Sequence, residues 1–261
     1  MPFFKKNCDI YDVKKCLFRF LYYLSFVTRK MLFYLGAENI CPVCNEKCGS
    51  DVVCKNCEST YFVVNDDEDR CCKKCGRILV SEKDLCLKCR ENPVFKEIHR
   101  AFPLFGYRLW NIQLLCSWKM KEQRCFSFFF AKLMARKISF LQKKIPDLVV
   151  VPVPPRNGKI KKMGWDQVEE IASILENIYN IKVQRLLQRN STKQQKKLHR
   201  QERLSTIGTS YSLKQEVYDV PQKVVVLDDI ITTGATLESC AKVLKEAGVK
   251  EVYGISLYSV D

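Results

Sequence analysis

The chain has 261 residues, 47% of them hydrophobic, long enough to bury a real core as one large domain or two smaller ones. Its 44 Lys and Arg against 29 Asp and Glu leave a formal charge of +15, a field that gathers anionic ligands: phosphates, nucleic acid or an anionic membrane. The opening MPFFKKNCDIYDVKKC scatters its charges and has no small-residue cleavage site after an apolar run, which argues against an exported protein and sets a cytoplasmic location as the expectation.

In chain order, residues 10–35 place Ile10, Val13, Leu17, Leu21, Leu24, Thr28, Met31 and Leu35 at three-and-four spacing, the stripe of an amphipathic helix. Its longest apolar run falls short of the roughly 18 to 20 residues that a bilayer span needs, and Arg19, Arg29 and Lys30 interrupt it. The helix therefore packs on its own protein or makes peripheral membrane contact through its basic face; it does not cross.

Ten of the 15 cysteines fall between Cys41 and Cys89, which marks residues 39–94 as a different kind of object from 1–38 and from 95–261. They include four pairs with two residues between thiols: Cys41/Cys44, Cys54/Cys57, Cys72/Cys75 and Cys86/Cys89. A CxxC turn aims both sulfurs at one ion, and two such turns complete a tetrahedron. In an unexported chain metal is favoured over disulfides, because the cytosol keeps thiols reduced. Nine residues separate the second pair from the first and ten the fourth from the third, so a repeated hairpin-like ribbon holding one structural zinc is the simplest account. Sequential and crossed pairings use the same eight thiolates, and Cys48 or Cys71 could replace a neighbour.

From Phe95 the pattern is globular. Phe126, Phe130, Leu133, Lys137 and Leu141 mark a helix; Asp147–Val153 is a continuous apolar strand, as in a sheet buried on both faces. A helix over 166–179, a strand over 181–187, a basic polar segment over 188–203, the strand Val224–Leu227, a helix ending at Gly248 and the strand Glu251–Tyr258 complete the chain. Strands alternating with helices predict an α/β fold with a mainly parallel sheet.

The stretch VVVLDDIITTGAT over 224–236 carries the chemistry. A strand ending at Leu227 would deliver Asp228 and Asp229 to the carboxyl edge of the sheet, where α/β proteins place their ligands. Thr232, Thr233, Gly234, Ala235 and Thr236 then turn into a helix whose first NH groups, with hydroxyls beside them and a glycine free to take positive φ, form a phosphate cradle. Carboxylates beside a phosphate suit sugar hydroxyls or a shared magnesium ion. A phosphorylated ribose satisfies both halves.

VVVLDDIITTGAT resembles the motif with which type I phosphoribosyltransferases bind phosphoribosyl pyrophosphate (PRPP), and the chain over 38–258 resembles the ComF family of competence-associated proteins. In that family paired-cysteine ribbons precede the transferase domain. VPVPPRNGKIKKMGWDQ is similar to its VPVP strand and basic RGFNQ loop, with Met163, Trp165 and Asp166 in place of Arg, Phe and Asn. TKQQKKLHRQERLST is similar to its TxxQxxLxxxxRxxN pattern, with Thr206 in place of Asn.

The resemblance implies a type I phosphoribosyltransferase-like domain behind a double zinc ribbon, with PRPP and Mg2+ as ligands. Asp228 and Asp229 would hold the ribose hydroxyls, residues 232–236 the 5-phosphate, Arg156, Lys159, Lys161 and Lys162 the pyrophosphate, and Gln195 and Arg203 would sit on a loop that closes over it. It further implies single-stranded DNA handling in competence, with other competence proteins as partners. The alternatives are a non-catalytic nucleic-acid-binding module and a PRPP-sensing regulator on the same fold. Lys119 reads as a surface lysine, and Trp118 and Trp165 as core or pocket wall.

Overall fold

The computed structural model describes Leu24, Thr28 and residues 40–49, 51–64, 67–107, 109–190, 210–215 and 219–260. Of the helix expected over 10–35, only Leu24 and Thr28 are described, both helical; the rest lies outside the described residues, as do Gln195 and Arg203.

The cysteine-rich segment opens each of its two units with a single antiparallel bridge, Ile40 to Lys47 and Cys71 to Ile78. Each unit then closes with a short helix, α1 (Lys55–Tyr61) and α2 (Leu87–Glu91), whose caps are the cysteines Cys54 and Cys86. The units are thus bridge-and-helix repeats rather than full hairpins.

The globular part follows as β1 (Ala101–Gly106), α3 (Leu109–Lys119), α4 (Cys125–Lys144), β2 (Val149–Pro152), α5 (Lys159–Met163), α6 (Gln167–Asn177), β3 (Leu187–Arg189), β4 (Tyr211–Leu213), β5 (Lys223–Ile231), α7 (Ala235–Glu246) and β6 (Glu251–Ser259). Four strands form one parallel sheet in the order β1-β6-β5-β2, while β3 and β4 pair antiparallel beside it.

The oily runs of β2 and β5 are explained by cover on both faces. Val225 and Leu227 join Trp118, Phe130, Leu133, Ile171 and Leu175 in a core beneath α3, α4 and α6. Their alternates Val224 and Val226 join Leu237, Cys240 and Leu244 of α7 on the opposite face. Each fully buried leucine or isoleucine in these layers contributes about 1.5–3 kcal/mol of transfer free energy. Helix α6 begins where Asp166 accepts from the backbone NH groups of Val168 and Glu169 at 3.0 and 3.1 Å, an N-cap worth about 1 kcal/mol.

The strand expected over 181–187 is not one. Only Val183 bridges Val150, between hydrogen bonds from Val150 N to Lys182 O and from Gln184 N to Val150 O. Arg185 then turns its guanidinium onto Glu169 and Glu176 of α6, and regular pairing resumes with β4 at Leu187. Among the described residues no helix is long and apolar enough to cross a membrane.

Candidate functional site

Strand β5 runs past Leu227 to Ile231, so the aspartates lie within it rather than after it. The site opens because its neighbours differ in length: β2 pairing stops at Pro152 opposite Leu227, where VPVPP begins to break the ladder, while β6 follows β5 as far as Ser259. Asp228 and Asp229 thus keep a rigid backbone from β6 and lose their neighbour on the β2 side.

Both aspartates are partly buried. Burial, and then the charge of Asp229, push the Asp228 carboxyl up to about 7; the Asp229 backbone NH and Lys119 act the other way. That NH donates to Asp228 Oδ1 at 2.8 Å. Lys119 is no surface lysine: its Nζ lies 2.5 Å from Asp229 Oδ2. It is held there by its predecessor. Trp118 is fully buried, and its indole NH donates to Ser127 Oγ at 2.8 Å; Ser127 in turn donates to Glu170 Oε2 at 2.6 Å, and Arg124 pairs with Glu170 Oε1. Trp165, 5% exposed, packs edge-on to Trp118, so both tryptophans are core and wall.

After Ile231 the chain turns through exposed Thr232 and Thr233 to Gly234, whose φ of +81° makes the turn into α7. The twelve-residue helix starts at Ala235, and the NH groups of Ala235, Thr236 and Leu237 precede its first i to i−4 bond, which Glu238 N makes to Gly234 O at 3.0 Å. Ala235 N reaches Thr233 Oγ1 at 3.4 Å. Beneath the loop, the Tyr211 phenol interacts with the Thr236 side chain, and burial pushes its ionisation up. The Arg189 guanidinium lies 5.5 Å from the Tyr211 ring centre, which brings a cation of the β3–β4 pair toward the same end of the sheet.

The basic loop after β2 is bracketed by left-handed glycines, Gly158 at φ +78° and Gly164 at φ +75°. Arg156, Lys161 and Lys162 are exposed; Lys159 instead donates to Asp166 Oδ2 at 2.6 Å and also to Gln167. Asp166, 6% exposed, is thereby a cap and an ion-pair partner, so its charge is met within the loop.

The thiols of Cys41, Cys44, Cys54 and Cys57 converge within 4.8 Å of one another, as do those of Cys72, Cys75, Cys86 and Cys89. Pairing is sequential, and each set has the four-sulfur donor chemistry that could bind zinc. The repeat extends to the hydrogen bonds: Cys54 N donates to Cys41 Sγ and Cys86 N to Cys72 Sγ, both at 3.4 Å. Burial raises Cys41 and Cys72, but backbone NH groups outweigh it and bring both thiols down to about 7. Cys48 and Cys71 stay outside, turned to the carbonyls of Asp51 and Asp67. A cavity of about 690 Å³ lies away from the aspartates, between β1 and the second cysteine unit, lined by Arg77, Arg100, Lys137 and Phe102 among others.

Sequence reasoning missed Lys119 as a partner of the acids, and it missed Tyr211. Helical spacing said nothing of where Lys119 would reach, and Tyr211 belongs to a three-residue strand without periodicity.

Residues 164–259 match the family described as the phosphoribosyl transferase domain. Over 207 residues, 78% of this chain and 86% of the relative, the sequence is 28% identical to Competence protein ComFC of Streptococcus pneumoniae. Over 118 residues it is 30% identical to Competence protein F of Haemophilus influenzae, a match that spans 42% of this chain and 49% of that protein.

Proposed function

We propose that the chain is a phosphoribosyltransferase of the ComF type, which binds PRPP with Mg2+ and acts in the handling of single-stranded DNA during competence, a reading supported by its similarity to two competence proteins and to the phosphoribosyl transferase domain. The observation that carries the reading is the juxtaposition of a carboxylate pair with a hydroxyl-lined turn at a helix start, all on the carboxyl edge of one parallel sheet. In this reading the loop 232–236 takes the sugar 5-phosphate, and Asp228 and Asp229 take the ribose hydroxyls. Arg156, Lys161 and Lys162 receive the pyrophosphate, with Lys159 holding the loop through Asp166. Lys119 holds Asp229 in place before the ligand arrives.

The bond from ribose C1 to the pyrophosphate oxygen breaks with its electron pair leaving on pyrophosphate, the sugar passes through an oxocarbenium-like state, and the lone pair of an acceptor nucleophile forms the new bond to C1. Little acid or base catalysis is required; the chain contributes orientation and countercharge at the leaving group. Magnesium, when bound with PRPP, neutralises the diphosphate and makes it a better leaving group. Cys41, Cys44, Cys54 and Cys57 would hold one structural zinc and Cys72, Cys75, Cys86 and Cys89 a second. We place the protein in the cytoplasm, where reduced thiols suit those sites.

Calorimetric titration tests the reading. PRPP binds wild type only with Mg2+, and Asp229→Asn loses the binding; equal heats for the two proteins end it. Competence proteins among the relatives favour a second role as a DNA-binding module, and Lys47, Lys55, Lys73, Lys88 and Arg90 of the cysteine units are exposed. Affinity for a single-stranded oligonucleotide then falls steeply with salt, and a flat dependence removes the role.

A further inference from the structure

The two cysteine units do different work. The first packs on α4: Phe62 meets Phe129 edge-on at 4.9 Å, and Glu58 pairs with Lys132 at 2.8 Å and Arg136 at 3.2 Å. The second is pressed against the sheet and the loop after β5. Its CKKC turn accepts a hydrogen bond from Ala101 N of β1 at Lys74 O, 2.8 Å, and a Cβ on Gly76 would overlap Ala101 and Pro103, so the turn fits the strand without slack.

Immediately after Cys89 the chain reaches Val94 and Phe95. A Cβ added to Gly234 would lie 2.8 Å from the Phe95 ring and 2.9 Å from Val94, so these two side chains back the turn of the loop 232–236 directly. The next two residues fasten the helix that follows: Lys96 N and Glu97 N both donate to Glu238 Oε1 at 2.8 Å, in the first turn of α7. A small cavity of about 40 Å³ is lined by Cys75 and Cys89 together with Thr232 and Thr233, so metal-site residues and loop residues border one space.

We propose that the second cysteine unit positions the loop 232–236, through Val94, Phe95 and the Glu238 clasp, so that metal occupancy at Cys72, Cys75, Cys86 and Cys89 sets the affinity of the site for a sugar phosphate. The ligand class rests on the reading above; the positioning does not. With the metal in place the Cys86/Cys89 turn fixes where Val94 and Phe95 emerge, and the loop has one conformation to offer. Without it, the backing of Gly234 and the clasp are released together, and ordering the loop becomes a cost of binding. Among the described residues the aromatic and ion-pair contacts of the first unit run instead to α4 and, from Phe62 to Phe105, to β1.

The test compares full-length wild type with Cys89→Ser, Phe95→Ala, Glu238→Ala and, for the first unit, Cys57→Ser. Hydrogen exchange is read over 232–238 and over the sheet core 224–227, with zinc content by elemental analysis and PRPP affinity by calorimetry. Exchange over 232–238 rises about tenfold or more in Cys89→Ser, Phe95→Ala and Glu238→Ala while 224–227 holds, and PRPP affinity falls by about the same factor. Cys57→Ser leaves 232–238 as in wild type. If Cys89→Ser loosens the sheet core as well, the two variants that spare the cysteines decide. Unchanged exchange over 232–238 in Phe95→Ala and Glu238→Ala overturns the proposal. Wild type that fails to bind PRPP, with the exchange pattern as expected, removes the ligand and leaves the positioning standing.

Discussion

Lys119 Nζ lies 2.5 Å from Asp229 Oδ2, so the lysine that ends α3 closes an ion pair with the outer member of the acid pair on β5. Its charge opposes the push that the Asp229 charge exerts on the neighbouring Asp228 carboxyl. Both partners are largely sheltered, so the pair is screened less than a surface bridge. Lys119→Met therefore destabilises the chain by about 1–2 kcal/mol above about pH 7, and less near pH 5, where Asp228 takes up a proton instead. Urea denaturation at the two pH values reads the difference; an equal loss at both contradicts it.

Asp228 supplies a pH dependence of its own. Its carboxyl is raised from 3.8 to about 7 in the folded chain, by burial first and the Asp229 charge second. Between those values the folded state holds more protons than the unfolded state, so stability is greatest at low pH, falls as pH rises from about 4 to 7, and is flat beyond. Asp228→Asn removes that slope. At about pH 8 the variant is more stable than wild type by about 1–3 kcal/mol, while the two agree near pH 4. Parallel stability curves across the range would show that the strain at this carboxylate is absent.

Gly234 is required twice over, by a φ of +81° and by the Phe95 ring where a Cβ would sit. Gly234→Ala costs about 1–3 kcal/mol of stability and the PRPP affinity of the site with it. Gly158, also left-handed but with nothing near its Cβ position, is the control: Gly158→Ala costs about 1 kcal/mol and leaves the loop 232–236 unaffected. Thermal unfolding of the two variants measures both, and equal losses would mean that Phe95 does not constrain the turn.

The sulfur geometry separates ligands from bystanders. Cys48→Ser and Cys71→Ser keep two equivalents of zinc, whereas Cys44→Ser or Cys75→Ser loses one, with a fall in thermal stability that added zinc does not restore. Elemental analysis after gel filtration reads the stoichiometry. Loss of zinc from Cys71→Ser would place the second site elsewhere.

What the sequence made legible was local. The run of VVVL announces a strand covered on both faces, and the consecutive acids and TTGAT follow it without a gap, so a single stretch encodes sheet, acids and loop. Paired cysteines are equally local, though only folding distinguishes sequential from crossed pairing. The parts that escaped depend on contacts between distant segments. β1 carries Pro103 and a mixed run, AFPLFG, that no periodicity marks; it forms because β6 offers an edge. The tether of Arg185 to α6 shortened the strand expected over 181–187, and neither Lys119 at Asp229 nor Phe95 behind Gly234 leaves a trace in spacing.

The most direct measurement of the central claim is phosphorus NMR of PRPP titrated with the zinc-loaded protein in the presence of Mg2+. The sugar 5-phosphate resonance shifts and broadens with wild type, and the effect is lost in Gly234→Ala, where a Cβ meets the Phe95 ring and the turn is displaced. A 5-phosphate signal that stays sharp while only the pyrophosphate signals respond, or one that responds equally in both proteins, would contradict it.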